Sequence, residues 1–63
     1  MNLDAMKLQI LMGKQGMTSK ELAERSSVSR QTISYIKSGK SCTPIVACKI
    51  AEALEDDVTE ILA

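Results

Sequence analysis

Apolar residues recur along this chain at intervals of three and four, in short bursts separated by Gly, Ser, Thr, Asp and Pro. That period belongs to amphipathic helices rather than strands. Five helices are expected. The first spans about Leu3 to Lys14, with Asn2 or Asp4 as its cap and Gly16 as a left-handed stop beyond it. Leu8, Leu11 and Met12 form its core stripe. Leu3, Met6 and Ile10 are rotated away from that stripe and leave the helix apolar nearly all round. Thr18 opens the second helix, and Glu21 completes a capping box in which each side chain satisfies the other residue's free N–H. This helix carries Leu22 and Ala23 and ends near Ser26. Ser29 caps the third, which runs to about Lys37 and closes at Gly39. After the loop GKSCTP, Thr43 and Pro44 start the fourth helix as cap and first-turn proline. Ala47, Ile50, Ala51 and Leu54 share its inner face. Asp57 begins a short last helix, with Glu60 placed for a second capping-box-like pair and Val58, Ile61 and Leu62 folding back onto the core.

Composition narrows the class. The chain has 63 residues and reads as one domain over residues 1–63. A chain this short buries only about 60% of its unfolded surface, so the core is small. Phe and Trp are absent, which favours packed helices over a β-sandwich. No apolar run approaches the roughly 20 residues that span a bilayer. No basic region followed by an apolar run suggests a secretion signal, so the expected compartment is the cytoplasm. Histidine is absent, and Cys42 and Cys48 form no disulfide framework and are too few for a thiolate zinc site. Catalysis would need a Lys or carboxylate base in a pocket that so small a domain rarely encloses. No catalytic residue, cofactor or metal site is expected.

Formal net charge is zero, but the charges are segregated. Arg25, Arg30, Lys37, Lys40 and Lys49 occupy a stretch without acids, whereas Glu52, Glu55, Asp56, Asp57 and Glu60 occupy a final stretch without bases. A basic middle beside an acidic tail suits a polyanionic partner better than the average does.

The segment TSKELAERSSVSRQTISYIKSG, Thr18 to Gly39, carries the chemistry. So short a connection between the second and third helices forces a steep crossing. Close crossing needs a small residue, Ala23, and inward apolar residues, Leu22, Val28, Ile33 and Ile36. This is the pattern of a helix-turn-helix, which presents its second helix outward. With those anchors inward, Arg30, Gln31, Ser34 and Tyr35 face outward. Arg30 can fork onto guanine O6 and N7, and Gln31 can pair with adenine N6 and N7. Tyr35 can reach a thymine methyl or a base edge. The plain alternative is solvated surface for Arg30 and Gln31, and a half-buried ring with a wet hydroxyl for Tyr35. Phosphate contacts, which fix register rather than sequence, fall to Ser19 at the start of the second helix and to Ser29, Thr32, Lys37, Ser38 and Lys40 around the third. Lys14 and Lys20 are secondary candidates. Ser29 can cap and still donate its hydroxyl proton.

The chain resembles the Cro/repressor-type helix-turn-helix family, also named the XRE family. The resemblance lies in GMTSKELA at Gly16–Ala23, VSRQTISYIKSGK at Val28–Lys40, and KIAEAL with VTEIL between Lys49 and Leu62. It implies a compact five-helix, lambda-repressor-like all-α domain with the helix-turn-helix at helices two and three. It also implies base reading by Arg30 and Gln31 in double-stranded DNA, on a two-fold operator bound by a homodimer. Departures from the family pattern are Ser19 for the usual Gln, Ser27 for the usual turn Gly, and Met12 and Lys37 for a frequent Arg–Glu pair. Met12 is expected to pack and Lys37 to reach outward. Glu55 and Asp56 replace the usual Gly and apolar residue after helix four, which leaves that exit frayed or differently turned. Dimerisation could use Leu3, Met6 and Ile10 or the C-terminal VTEILA. The alternative function is a protein-interaction module of the same fold, an antitoxin or adaptor, with a protein partner and little DNA binding.

Overall fold

In the computed structural model, which describes residues 1–63, four α-helices precede a short 3-10 helix. They are α1 (Ala5–Lys14), α2 (Ser19–Ser26), α3 (Arg30–Lys37) and α4 (Pro44–Ala53), followed by the 3-10 turn Val58–Ile61. The all-α class stands, but the fifth element is not an α-helix. Four residues leave little room for the i to i+4 bonds of an α-helix.

Local chemistry sets each start. The side chains of Asp4, Thr18, Ser29 and Thr43 each accept the backbone N–H three residues on. At α2 the box is complete: Thr18 Oγ1 accepts from the Glu21 N–H at 3.1 Å, and Glu21 Oε1 accepts from the Thr18 N–H at 3.2 Å. α1 begins at Ala5 rather than Leu3 because the residues before it pair with the chain's other end. Leu3 forms an antiparallel bridge with Leu62, and the Asp4 N–H donates to the Ile61 carbonyl at 2.7 Å. Leu3 is therefore buried and not part of an outward stripe, whereas Met6 and Ile10 stay 67% and 50% exposed.

Two further expectations are corrected at the C-terminal end. Asp57 and Glu60 form no capping box; the Glu60 N–H donates to the Asp57 carbonyl at 3.0 Å, but neither side chain reaches the other residue. The Asp57 carboxylate accepts from the Thr59 N–H at 2.9 Å and from the Thr59 hydroxyl at 2.8 Å, and these bonds, the backbone one first, hold the carboxyl below its ordinary range. The exit of α4 is not frayed. Glu55 takes the left-handed position at φ 56°. The Asp56 N–H returns to Ala51 O at 3.1 Å and the Glu55 N–H to Glu52 O at 3.0 Å, the paired bonds of a Schellman stop.

Leu8, Leu22, Ile33, Ile36, Ile50, Leu54 and Ile61 are the largest fully buried side chains, so every element contributes to one core. Met12 packs into it as expected. α2 lies against α3 and α4, α1 against α3 and the 3-10 turn, and α4 against that turn. No helix is long and apolar enough to cross a membrane.

Candidate nucleic-acid interface

The α2–α3 turn is built from two serines. Ser26 is buried; its hydroxyl donates to the Leu22 carbonyl at 2.6 Å and accepts from the Val28 N–H at 3.3 Å. It thereby satisfies a turn N–H that lies inside the domain. Ser27 adopts the left-handed conformation, φ 59° and ψ 26°, which reverses the chain so that Val28 enters the core. That conformation strains any residue with a β-carbon. Ser27→Gly is expected to raise the unfolding free energy by about 1 kcal/mol, read from urea melts. An unchanged midpoint would show that the turn carries no such strain.

Ile33 and Ile36 anchor α3 inward, and Val28 and Ala23 pack beside them. At about 100° per residue, Arg30, Ser34, Ser38, Gln31 and Tyr35 fan across one outward arc of about 140°; all five are exposed. Gln31 Nε2 donates to the Tyr35 hydroxyl at 2.9 Å. Lys40 Nζ lies 4.8 Å from the centre of the Tyr35 ring. The Ser38 hydroxyl and the Lys40 N–H both donate to the Tyr35 carbonyl, at 2.7 and 3.0 Å. The end of α3 and its exit loop are thus tied to one tyrosine. No acid lies on α3, so nothing on this face repels an anion.

The flanking candidates are arranged differently from expectation. Lys37 does not extend outward. It is half-buried, and its ammonium donates to Ser19 Oγ at 3.1 Å, joining the last turn of α3 to the first turn of α2. The Ser29 hydroxyl proton is not free either: it is donated to Thr32 Oγ1 at 2.8 Å while its oxygen caps α3. The proton available to a ligand passes to half-buried Thr32. Beside Ser19 an open cleft of about 250 Å³ runs between α1 and the start of α2, with Met12, Gly13 and Met17 along it and Lys37 at its edge. Ser19 and the Lys37 ammonium therefore meet at the first turn of α2, where the Glu21 carboxylate closes the capping box. Lys14, Lys20 and Lys40 are exposed.

The structure gathers Arg30, Gln31, Ser34, Tyr35 and Ser38 on one face, with Ser19 and Lys37 joined at its margin and Ser29 and Thr32 at the start of α3. Ser26 had no signal beyond its place in the turn. The Gln31–Tyr35 bond was readable as an i, i+4 pair on one helix. Cys42 is half-buried in the α3–α4 loop, where burial pushes its thiol up against the pull of the chain's amino group; Cys48 is exposed on α4. No group of three or more His, Cys, Asp or Glu side chains is gathered for a metal ion.

Comparison with known proteins places the fold. The family model for helix-turn-helix proteins matches residues 8–60. A search of curated proteins finds no match. Among solved structures, the fold is similar to the crystal structure of the restriction-modification controller protein C.AhdI from Aeromonas hydrophila, with a TM-score of 0.84. The two chains are 23% identical, and the likeness covers 89% of this chain and 86% of that one.

Proposed function

The chain belongs to the Cro/repressor-type helix-turn-helix family of DNA-binding transcription regulators, and from that membership we propose that it reads a specific operator with α3 in the major groove, as a dimer, in the cytoplasm. The observation that carries this reading is the outward arc of α3. It is polar, free of acids and headed by Arg30 and Gln31, the side-chain types that pair at two points with guanine and adenine. Ser34 and Tyr35 complete the base-facing set. Ser19 with Lys37, Ser29 with Thr32, Ser38 and Lys40 hold the sugar–phosphate backbone on either side. The likeness to the restriction-modification controller protein supports the helix-turn-helix fold on which this reading rests.

Size supports the dimer. The Cα trace measures 24 × 21 × 18 Å, shorter in every direction than the roughly 34 Å between half-sites one helical turn apart. One copy therefore reads one half-site. With Leu3 and Ile61 buried and Leu62 half-buried, the apolar residues left for a partner on α1 are Met6 and Ile10, which favours α1 over the C-terminal segment as the contact between copies.

Selection of bound sequences from a random duplex library tests the proposal. The expected product is a pair of inverted half-sites about one helical turn apart. Repeating the selection with Arg30→Ala and with Gln31→Ala should relax one base pair per half-site in each case, by about 1–3 kcal/mol of discrimination. Unchanged preference in both variants would remove these residues from base reading, and a solitary half-site would retire the two-fold arrangement.

A further inference from the structure

Resting on the reading of α3 as the base-reading helix, we infer that Tyr35 is a positioning residue that fixes the Gln31 amide for adenine and against guanine. A glutamine amide offers one acceptor oxygen and two N–H donors. Gln31 gives one of those N–H groups to the Tyr35 hydroxyl at 2.9 Å. What remains for a base is one donor and one acceptor. Adenine presents an acceptor at N7 and a donor at N6, which is the complementary pair. Guanine presents acceptors at both N7 and O6. Against guanine the remaining N–H can serve only one of them, and Oε1 faces the other with no proton between.

The terminal torsion of a free glutamine is broad and roughly two-fold, so its oxygen and nitrogen exchange places easily. Tyr35 removes that freedom only if it is itself held, and it is. The Lys40 ammonium lies over its ring at 4.8 Å, and its carbonyl receives the Ser38 hydroxyl and the Lys40 N–H. Both partners ride on one helix, one turn apart, so no loop motion separates them. The phenol accepts from Gln31 and keeps its own proton, which points selectivity at the amide rather than at a second fixed acceptor. The arrangement thus adds discrimination that Gln31 alone lacks, from a residue that need not touch the base.

The test uses the full chain and duplexes that differ only at the base pair relaxed by Gln31→Ala. Wild type, Tyr35→Phe, Gln31→Ala and the double variant are titrated against all four bases there. Tyr35→Phe keeps the ring, its stacking with Lys40 and the helix, and removes only the hydroxyl. The wild type is expected to prefer adenine. Tyr35→Phe should lower the adenine-over-guanine ratio about three- to tenfold, the worth of one hydrogen bond. Preference at the Arg30 base pair should not change, and the double variant should match Gln31→Ala alone. The inference is overturned by an unchanged ratio in Tyr35→Phe, by an equal loss at every base, or by a wild-type preference for guanine, which needs the opposite amide orientation. If the wild type binds no duplex at low salt, the DNA reading itself fails and this inference goes with it. Sequence-selective binding with an unchanged ratio removes only the role of Tyr35.

Discussion

Replacing Ile33 by Ala is expected to lower the unfolding free energy by about 3–4 kcal/mol. Ile33 sits at the middle of α3 with none of its surface exposed. Its loss removes buried methylene and methyl groups and leaves a cavity where α3 meets the core. A domain of 63 residues has a total stability of roughly 3–9 kcal/mol, at about 0.05–0.15 kcal/mol per residue. The variant should therefore be largely unfolded at 37 °C or melt far below the wild type in a circular-dichroism scan. Met6→Ala is the control. Met6 is equally apolar but 67% exposed, and its truncation should stay within about 0.5 kcal/mol. Similar losses in the two variants would mean that Ile33 does not anchor α3, and the outward arc would lose its foundation. Because α3 carries the side chains proposed to face the bases, DNA binding should fall with the folded fraction and recover on cooling toward the temperature of maximum stability.

How far the sequence foretold this arrangement depended on how local each determinant was. The helix starts were legible because a cap and its N–H lie three residues apart: Asp4, Thr18, Ser29 and Thr43 bond as their positions suggest. The turn was marked only through the resemblance, in which Ser27 stands for the usual Gly, and Ser27 takes the left-handed conformation such a Gly allows, at φ 59°. Two misreadings came where partners are distant in the chain, and one where a nearer partner competes. Leu3 looked like a helix residue by period, but its bridge to Leu62 joins the two ends and shortens α1. Lys37 looked free because its partner Ser19 is eighteen residues away, and only the crossing of α2 and α3 brings them together. At Asp57 the acid three residues on suggested a capping box, yet the nearer Thr59 offers both a backbone N–H and a hydroxyl and takes the carboxylate first. The outward residues of α3 were legible by elimination. Once Val28, Ile33 and Ile36 turn inward, little but Arg30, Gln31, Ser34, Tyr35 and Ser38 can face out. Of how those side chains engage one another, the pattern held only the i, i+4 spacing of Gln31 and Tyr35.

Duplex affinity is expected to fall by about 10²- to 10³-fold between 50 and 200 mM salt. Lys37 and Lys40 each can neutralise a phosphate, and a two-fold assembly doubles that number. Four neutralised phosphates give a slope of log affinity against log salt of about −3.6, at about 0.9 per phosphate. Lys37 is the informative position. Its ammonium already lies 3.1 Å from Ser19 Oγ at the start of α2, so it reaches a phosphate there without losing further side-chain freedom. Lys37→Met keeps the aliphatic stem against the core and removes the charge. It should reduce the slope by about two per dimer while leaving base preference untouched, because phosphate contacts carry no sequence information. An unchanged slope would place Lys37 in the fold alone, as a strut between α2 and α3. No duplex binding even at 50 mM would favour the protein-interaction alternative instead, with exposed Met6 and Ile10 as its contact face. The same titration therefore separates a chain that holds DNA through its charges from one that keeps the helix-turn-helix shape for another protein.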